Sequence, residues 1–214
     1  MKSVLCFGDS LTWGFDPATA GRHAFADRWT SVLAEGLGPD VTVIPEGLNG
    51  RTTCYEDHSA AAERNGVKTL PTLLATHDPL DLVIIFLGTN DLKRSTGGGR
   101  VFEARIGMER LLEIVRGFPY HRGHAVPQIL LIAPPAFVET DEPDMKVLLG
   151  HALVESQEFG TAYALIADEY GCDVFDAAEV AECSPLDGFH LDAANTRAIG
   201  EALLPQVQAI LARR

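Results

Sequence analysis

The 214-residue sequence is poor in basic residues. Its 17 lysines and arginines stand against 30 aspartates and glutamates, which gives a formal net charge of −13, and no run of Lys and Arg is longer than two. Binding to a phosphate backbone or to an anionic membrane needs such residues, because they neutralise the phosphates. We therefore expect no nucleic-acid partner and no membrane partner.

Cysteine is also scarce, and long hydrophobic runs are missing. Cys6, Cys54, Cys172 and Cys183 show no CxxC spacing, so neither a metal site nor a disulfide framework is indicated, although an even count leaves pairing open. No apolar run approaches the ~20 residues of a membrane-spanning helix, and the first strand begins too early to leave room for a signal peptide. We expect a cytoplasmic protein without metal or cofactor, although a mature form that had lost its leader would begin in the same way.

What the sequence does contain is five short apolar runs separated by amphipathic stretches. The runs are nearly continuous, which is typical of strands buried on both faces, and they cover 4–7, 41–44, 82–87, 129–133 and 173–175. Helical periodicity predicts helices over roughly 27–37, 69–77, 102–116, 146–170 and 193–212. This alternation predicts a single α/β domain over residues 1–214, with a parallel sheet and helices on both of its faces.

Polar clusters follow four of the predicted strands. They are Gly8-Asp9-Ser10-Leu11, the segment 46–53, Gly88-Thr89-Asn90-Asp91 and, after a short segment, Asp187-Gly188-Phe189-His190. In an open parallel sheet, ligands bind beyond the carboxyl ends of the strands. We therefore expect these clusters to converge at one edge of the sheet.

The converging residues have the chemistry of ester hydrolysis through an acyl-enzyme. Ser10 can supply the nucleophilic oxygen and a backbone N–H for the oxyanion. Gly50 can bring a second N–H close because it has no Cβ, and the Asn90 amide is a third donor. Asp187 and His190 are three residues apart, so one turn can hold the carboxylate against the imidazole. Taken singly, these residues are more typical of helix caps and turns, so the hypothesis depends on their convergence.

With these four blocks the chain resembles the SGNH hydrolases, the GDSL esterase and lipase superfamily. The blocks stand in the family's order and span residues 8–190. The resemblance implies a flavodoxin-like three-layer sandwich with a five-stranded parallel sheet. It also implies a Ser10–His190–Asp187 catalytic triad and an oxyanion hole formed by Ser10, Gly50 and Asn90.

The stretches CFGDSLTWG, EGLNGRTT, LPTLLATHDPLDLVII and LGTND resemble the small bacterial arylesterase and acyltransferase branch. That resemblance implies hydrolysis of short-chain and aryl esters, acyl transfer to alcohols and peroxide, and assembly into a homo-oligomer, an octamer. The expected partners are small neutral esters and alcohol acceptors. Asn49 departs from the branch, in which many members have serine there, and it bears on hydrogen bonding beside the oxyanion hole.

Several neighbouring residues have two interpretations. Trp13 and Phe15 either wall the substrate pocket, together with Asn49, or pack in the core. Asp9 is expected to cap the helix that Ser10 opens, and Arg51 is expected to make structural hydrogen bonds. Of the seven histidines, His190 has a carboxylate at fixed short range. The other six are expected to be solvated surface residues, namely His23, His58, His77, His121, His124 and His151.

Two other functions stay open. The same triad would serve a carbohydrate O-deacetylase or a thioesterase, because specificity lies in loops, and those at 47–66, 117–127 and 134–145 are longer than connections require. A flavodoxin-like module that binds a phosphate at the start of the Ser10 helix belongs to a different class. No GxGxxG or GxxxxGK[ST] motif supports that module.

Overall fold

A computed structural model describes residues 1–213 of the chain. Its sheet has five parallel strands in the spatial order β2-β1-β3-β4-β5, which is the flavodoxin-like order. The strands are β1 Lys2–Gly8, β2 Val41–Gly47, β3 Leu82–Phe86, β4 Gln128–Ala133 and β5 Asp173–Asp176. The prediction of a five-stranded parallel sheet is therefore confirmed, and the structure adds a short antiparallel ribbon between residues 15–16 and 21–22.

Seven α-helices connect and cover the strands in the described part of the chain. They are α1 Ser10–Trp13, α2 Trp29–Leu37, α3 Gly66–His77, α4 Val101–Gly117, α5 Pro143–Leu149, α6 Phe159–Tyr170 and α7 Ala193–Ala212. Four predicted helices correspond to α2, α3, α4 and α7. None of these seven helices is long and apolar enough to cross a membrane.

The prediction of one helix over 146–170 is wrong, because the α-helix is interrupted between α5 and α6, where the chain forms two short 3-10 helices, Gly150–Ala152 and Glu155–Glu158. Two side chains of the interrupted segment bond to other parts of the fold. The Glu155 carboxylate accepts from the first N–H of α4 at Val101, and the Ser156 hydroxyl accepts from the N–H of Phe137. Leu165, an apolar residue within that predicted helix, is 55% exposed. Tertiary hydrogen bonds thus override helical periodicity here.

The core has two halves, one on each face of the sheet. Alternate residues of β1 divide between them, so that Leu5 and Phe7 pack towards α3, α4 and α6, while Val4 and Cys6 pack towards α2 and α7. The three layers confirm the predicted helices on both faces. All four cysteines are free thiols.

The parallel strands give the sheet two chemically different edges. The polar clusters predicted from the sequence lie at the carboxyl edge, where β1, β2 and β3 end at residues 8, 47 and 86. Residues 78–81 and 117–127 lie at the opposite, amino edge, because they lead into β3 and β4. β1 has β2 as its neighbour on one side and β3 on the other, so the chain changes direction across the sheet at β1. Open α/β sheets bind their ligands at such a switch point.

Gly107 marks the place where α4 packs most closely on the loop after β2. A Cβ atom built there would lie 1.8 Å from the Thr53 hydroxyl and 3.0 Å from Cys54 Sγ. We expect Gly107→Ala to lower the free energy of unfolding by about 1–3 kcal/mol, since overpacking outweighs the helix propensity gained. Gly117→Ala, at the end of the same helix with nothing within 4 Å, should cause no loss. Denaturant unfolding measures both, and equal stability of the two variants would contradict the close packing.

Candidate active site

Ser10 stands at the start of a four-residue helix that follows β1 directly. The Asp9 carboxylate caps this helix by accepting from the N–H of Leu11 at 2.9 Å, as expected. The turn ends at Gly14, which adopts the left-handed conformation. Ser10 is buried and lies at the carboxyl end of the strand where the strand order reverses.

His190 and Asp187 are held by a compact loop before α7. The N–H of Ser184 donates to the carbonyl of His190 at 2.7 Å, and the N–H of Gly188 donates back to Ser184 at 2.8 Å. Asp187 Oδ1 accepts from the backbone N–H groups of Phe189 and His190. The carboxylate therefore has a fixed orientation before it meets any substrate.

The structure brings Ser10, His190 and Asp187 together in one line of hydrogen bonds. Asp187 Oδ2 lies 2.6 Å from His190 Nδ1, and His190 Nε2 lies 2.8 Å from Ser10 Oγ. An ionised carboxylate only accepts, so Nδ1 carries the proton. Nε2 is consequently free to accept the serine proton, which is the arrangement that a general base needs.

The charge on Asp187 is favoured by its surroundings. Burial favours the neutral acid, but the hydrogen bonds and charge of His190, with the N–H groups of His190 and Phe189, outweigh it and hold the pKa of Asp187 below its usual value. An ionised carboxylate at this position stabilises a positive charge that develops on the imidazole.

Aromatic rings pack against the imidazole. The Phe15 and Phe189 ring centroids lie 4.2 and 4.3 Å from that of His190. Of the two aromatic residues singled out after the nucleophile, Phe15 thus reaches the site. Trp13 lies instead beneath the guanidinium of Arg22, 4.7 Å from its carbon. Phe189 contacts His190 although sequence reasoning assigned it no role.

Gly50 occupies the third position of a turn that is fixed to the end of β1. The N–H of Arg51 donates to Leu48, and the N–H of Leu48 donates to the carbonyl of Gly8 at 3.1 Å. Gly50 has a φ of +82°, and a Cβ there would lie 2.6 Å from the guanidinium of Arg64, so glycine is needed. Within residues 1–213, the backbone N–H groups of Ser10 and Gly50 have no protein acceptor. Both are therefore available to a ligand.

Asn49 and Asn90 differ in how their amides are satisfied. Asn49 Oδ1 is buried without a hydrogen-bond partner among the described residues. Asn90 Nδ2 donates to Asp9 Oδ2 at 3.2 Å and to the Arg51 carbonyl at 3.1 Å. These two bonds tie three polar clusters together. Since the amide has two hydrogens, donation to an oxyanion would need one of them to be shared.

Arg51 has the structural role expected of it. Its guanidinium donates to the carbonyls of Gly8 at 2.7 Å and of Glu46, and it lies 4.3 Å from the centre of the Phe7 ring. Burial lowers the pKa of Arg51 to about 10, against the opposing charges of Glu46 and Asp9. The side chain thus clamps the ends of β1 and β2.

Two buried carboxylates beneath the site were not identified as a pair from the sequence. Asp91 accepts from the Thr53 N–H at 3.1 Å and from the Thr53 hydroxyl at 2.5 Å. Burial raises the pKa of Asp9 and of Asp91 to about 7, even though the hydrogen bonds from Leu11 and Thr53 oppose the shift. Only their tertiary surroundings distinguish them from ordinary cap and turn residues.

A cavity of about 810 Å³ lies beside the triad rather than over Ser10. Its wall includes residues 137–142 of the long loop after β4, with Leu149, Leu153, Asp187 and Phe189. Phe189 belongs both to this wall and to the surroundings of His190. The cavity therefore lies next to the catalytic candidates, with the Phe189 side chain between the cavity and His190.

The expectation that six histidines are solvated is wrong for His23. That side chain is buried, and its Nε2 lies 3.0 Å from the carbonyl of Leu191. Two others are partly buried, since His77 pairs with Glu46 and His151 lies against the carbonyl of Leu92. No pattern in the sequence marks these contacts, because each joins distant segments.

The chain is similar to a known protein family and to several solved structures. Residues 6–198 match the model of the GDSL-like Lipase/Acylhydrolase family. A carbohydrate acetylesterase family member from Sinorhizobium meliloti superposes with a TM-score of 0.97 at 47% identity, over 99% of this chain and 100% of that one. The M. smegmatis aryl esterase superposes with a TM-score of 0.91 at 38% identity, over 98% of this chain and 100% of that one. A second carbohydrate acetylesterase from Sinorhizobium meliloti superposes with a TM-score of 0.91 at 36% identity, over 98% of this chain and 100% of that one. No curated protein sequence gives a significant match to the chain.

The buried acid Asp91 should make stability depend on pH with a definite sign. Its folded pKa of about 7 lies above the unfolded value, so the contribution of the neutral acid is present at low pH and is lost as pH rises through the folded pKa. The unfolding free energy of wild type relative to Asp91→Asn should therefore fall by roughly 2 kcal/mol between about pH 5.5 and 7.5.

Asp57→Asn is the matched control, measured by denaturant unfolding over the same range. Hydrogen bonds from Ser59 and Arg64 hold the pKa of Asp57 at about 2, so this acid is ionised throughout. The stability difference between wild type and Asp57→Asn should not change with pH. Parallel stability curves for wild type and Asp91→Asn would show that Asp91 is ionised in the fold.

Proposed function

The chain belongs to the GDSL-like Lipase/Acylhydrolase family, and on that premise we propose that it hydrolyses short-chain and aryl carboxylic esters through an acyl-enzyme on Ser10. The observation that carries the proposal is the line of two hydrogen bonds, 2.8 Å from Ser10 Oγ to His190 Nε2 and 2.6 Å from Nδ1 to Asp187. The aryl esterase of M. smegmatis, at 38% identity, supports the substrate class.

Acylation begins with the proton transfer that this geometry permits. Ser10 Oγ attacks the ester carbonyl carbon while His190 Nε2 takes the hydroxyl proton, and Asp187 stabilises the imidazolium. The tetrahedral intermediate then expels the alkoxide or phenolate, which receives the proton from Nε2. Ser10 is left as an ester of the acyl group, and the imidazole is neutral again.

The oxyanion of that intermediate is assigned to three donors. The N–H groups of Ser10 and Gly50 are available, because neither donates to a protein acceptor within residues 1–213. Asn90 is the third donor, and its amide must then share a hydrogen with Asp9 or with the Arg51 carbonyl. Donors fixed in this way favour the charge that develops in the transition state.

Deacylation repeats the chemistry with water or with an alcohol. His190 Nε2 takes a proton from the acceptor, the acceptor oxygen attacks the acyl carbon, and Ser10 recovers its proton as it leaves. Phe15 and Phe189 make the immediate surroundings of the imidazole apolar. The wall of the adjoining cavity is mixed, with apolar side chains beside the acidic and polar residues 139–142, so the apolar surroundings are those at the imidazole itself. Such surroundings favour an organic alcohol over water, so acyl transfer to alcohols is part of the proposal.

Assembly into a homo-oligomer would complete this enclosure. Leu186 lines the cavity and is more than half exposed, and so are Val147 and Val154, which are next in sequence to the lining residues Lys146 and Leu153. Another copy of the chain that covers these side chains would restrict water at the open side of the cavity. Closed symmetric assemblies are the usual form of soluble oligomers.

A second candidate keeps the triad and changes the substrate to an O-acetylated carbohydrate. It is favoured by two relatives named as carbohydrate acetylesterases, at 47% and 36% identity. The acidic and polar loop at 139–142 borders the cavity and offers hydrogen-bond partners to a sugar. Comparing kcat/KM for phenyl acetate and for an acetylated xylose separates the two substrate classes.

Replacement of Ser10 tests the acyl-enzyme proposal. We expect Ser10→Ala to lower kcat for p-nitrophenyl acetate by roughly 10⁴-fold or more, because the nucleophile is lost. Asp187→Asn should cost about as much, since the amide favours the wrong imidazole tautomer. Steady-state kinetics measures both, with Ser31→Ala on α2 as the control expected to keep wild-type activity. A folded Ser10→Ala enzyme that keeps a tenth of wild-type kcat would remove Ser10 from this role.

Competition between alcohol and water tests the acyl-transfer proposal. With vinyl acetate and benzyl alcohol in buffer, we expect benzyl acetate to exceed the share set by the bulk alcohol-to-water ratio, because the apolar surroundings of His190 concentrate the alcohol. Chromatography of benzyl acetate and acetate over time measures the partition. A yield that follows only the bulk ratio would mean that the pocket does not select and that the enzyme is simply a hydrolase.

A further inference from the structure

Three potential metal ligands meet at the amino edge of the sheet, opposite the triad. Asp78 follows the last residue of α3, and His121 and His124 lie in the long loop between α4 and β4. One ligand atom from each residue lies within 4.8 Å of the other two. The triad occupies the carboxyl edge, so this cluster is separate from the proposed catalytic chemistry.

A turn places the two histidines side by side. The N–H of His124 donates to the carbonyl of His121 at 2.9 Å, and Gly123, at the third position, has a φ of +93°. This is the geometry of a turn that requires glycine at its third residue, and it brings the first and fourth residues close together. The two imidazole centroids are consequently 5.8 Å apart.

The Asp78 carboxylate joins the two imidazoles. Its Oδ2 lies 2.5 Å from His121 Nδ1 and 2.8 Å from His124 Nδ1, and it also accepts from the backbone N–H of His121 at 3.1 Å. The Asp78 side chain is 1% exposed, and its Oδ1 is buried with no hydrogen-bond partner in the described chain. All three contacts of the carboxylate therefore fall on Oδ2, the oxygen that faces both imidazoles.

Both imidazoles face the carboxylate through the same ring nitrogen. Each imidazole presents Nδ1 to the carboxylate and can ligate through that nitrogen once its proton resides on Nε2 instead.

The spacing of the ligand atoms is close to that of a small divalent ion. Tetrahedral zinc with bonds of about 2.0–2.1 Å places its ligand atoms ~3.3 Å apart. The two nitrogen-to-oxygen distances of 2.5 and 2.8 Å therefore need to open by less than an ångström. The His121 and His124 side chains are 75% and 36% exposed, so the turn has room for this adjustment.

We propose that Asp78, His121 and His124 form a site for a borderline divalent cation, with zinc as the favoured ion and water completing its coordination. Imidazole and carboxylate are ligands that zinc accepts, and three protein ligands leave one position open. The ion would cross-link the connection after α3 to the connection after α4. Asp78 is 43 residues from His121 and 46 residues from His124 in sequence. This site departs from our expectation that the chain binds no metal.

The test is zinc titration of protein without an affinity tag, after removal of metals with a chelator and dialysis. We expect one zinc ion per chain in wild type, and at least about tenfold weaker binding in His121→Ala and in His124→Ala. His58→Ala removes an exposed histidine outside the cluster and should bind as wild type does. Wild type that binds no zinc at millimolar concentration would overturn the proposal.

Free thiols are the competing ligands, and one further variant addresses them. Cys54 and Cys172 are partly exposed, so zinc binding of full affinity in the double variant His121→Ala/His124→Ala would assign the ion to other residues and overturn the proposal. Thermal unfolding is the second readout, since a ligand that binds the folded state raises Tm. Zinc should raise Tm in wild type and not in the double variant. Unchanged hydrolysis of p-nitrophenyl acetate by the double variant would establish that it is folded.

Discussion

The hydrogen bond between the Ser10 hydroxyl and His190 Nε2 joins residues 180 positions apart, and the proposed chemistry depends on it. Neither partner is placed by its local sequence alone. The end of β1 and the Asp9 cap position Ser10, whereas the loop closed by Ser184 and Gly188 positions His190. Parallel strands make the meeting possible, because their carboxyl ends share one edge. A shift of either support by an ångström would break the 2.8 Å contact.

The same edge holds acids whose pKa values are shifted in opposite directions. Asp187 is partly buried, yet the hydrogen bonds and charge of His190 hold its pKa below the usual value, so it can stabilise an imidazolium. Asp9 and Asp91 are fully buried, and burial raises their pKa values to about 7. The difference lies in the depth of burial and in the neighbouring charge of His190, not in residue type. Asp187 is thereby suited to stabilise a positive charge on His190. Asp9 and Asp91 instead hold the polar clusters in place through their hydrogen bonds with Leu11, Asn90 and Thr53.

The sequence predicted those features that depend on local pattern or on strand ends. The five strands, the limits of α7 and the meeting of Ser10, Asp187 and His190 follow from apolar runs and from the polar residues behind them. The helix over 146–170 was wrong because Glu155 and Ser156 bond to α4 and to Phe137, contacts that periodicity does not contain. The burial of His23, the ring contact of Phe189 and the occupied amide of Asn90 depend on tertiary neighbours as well. The roles of Gly50 and Asn90 in the oxyanion hole stay predictions.

The proposed chemistry requires that His190 activate Ser10 as a nucleophile. Reaction with an organophosphonate, followed by intact-mass and peptide mass spectrometry, tests this requirement, because such reagents modify an activated serine. We expect one adduct per chain, located on Ser10, and no adduct on a folded His190→Ala variant under the same conditions. An active wild-type enzyme that is modified at another residue, or not at all, would contradict this activation.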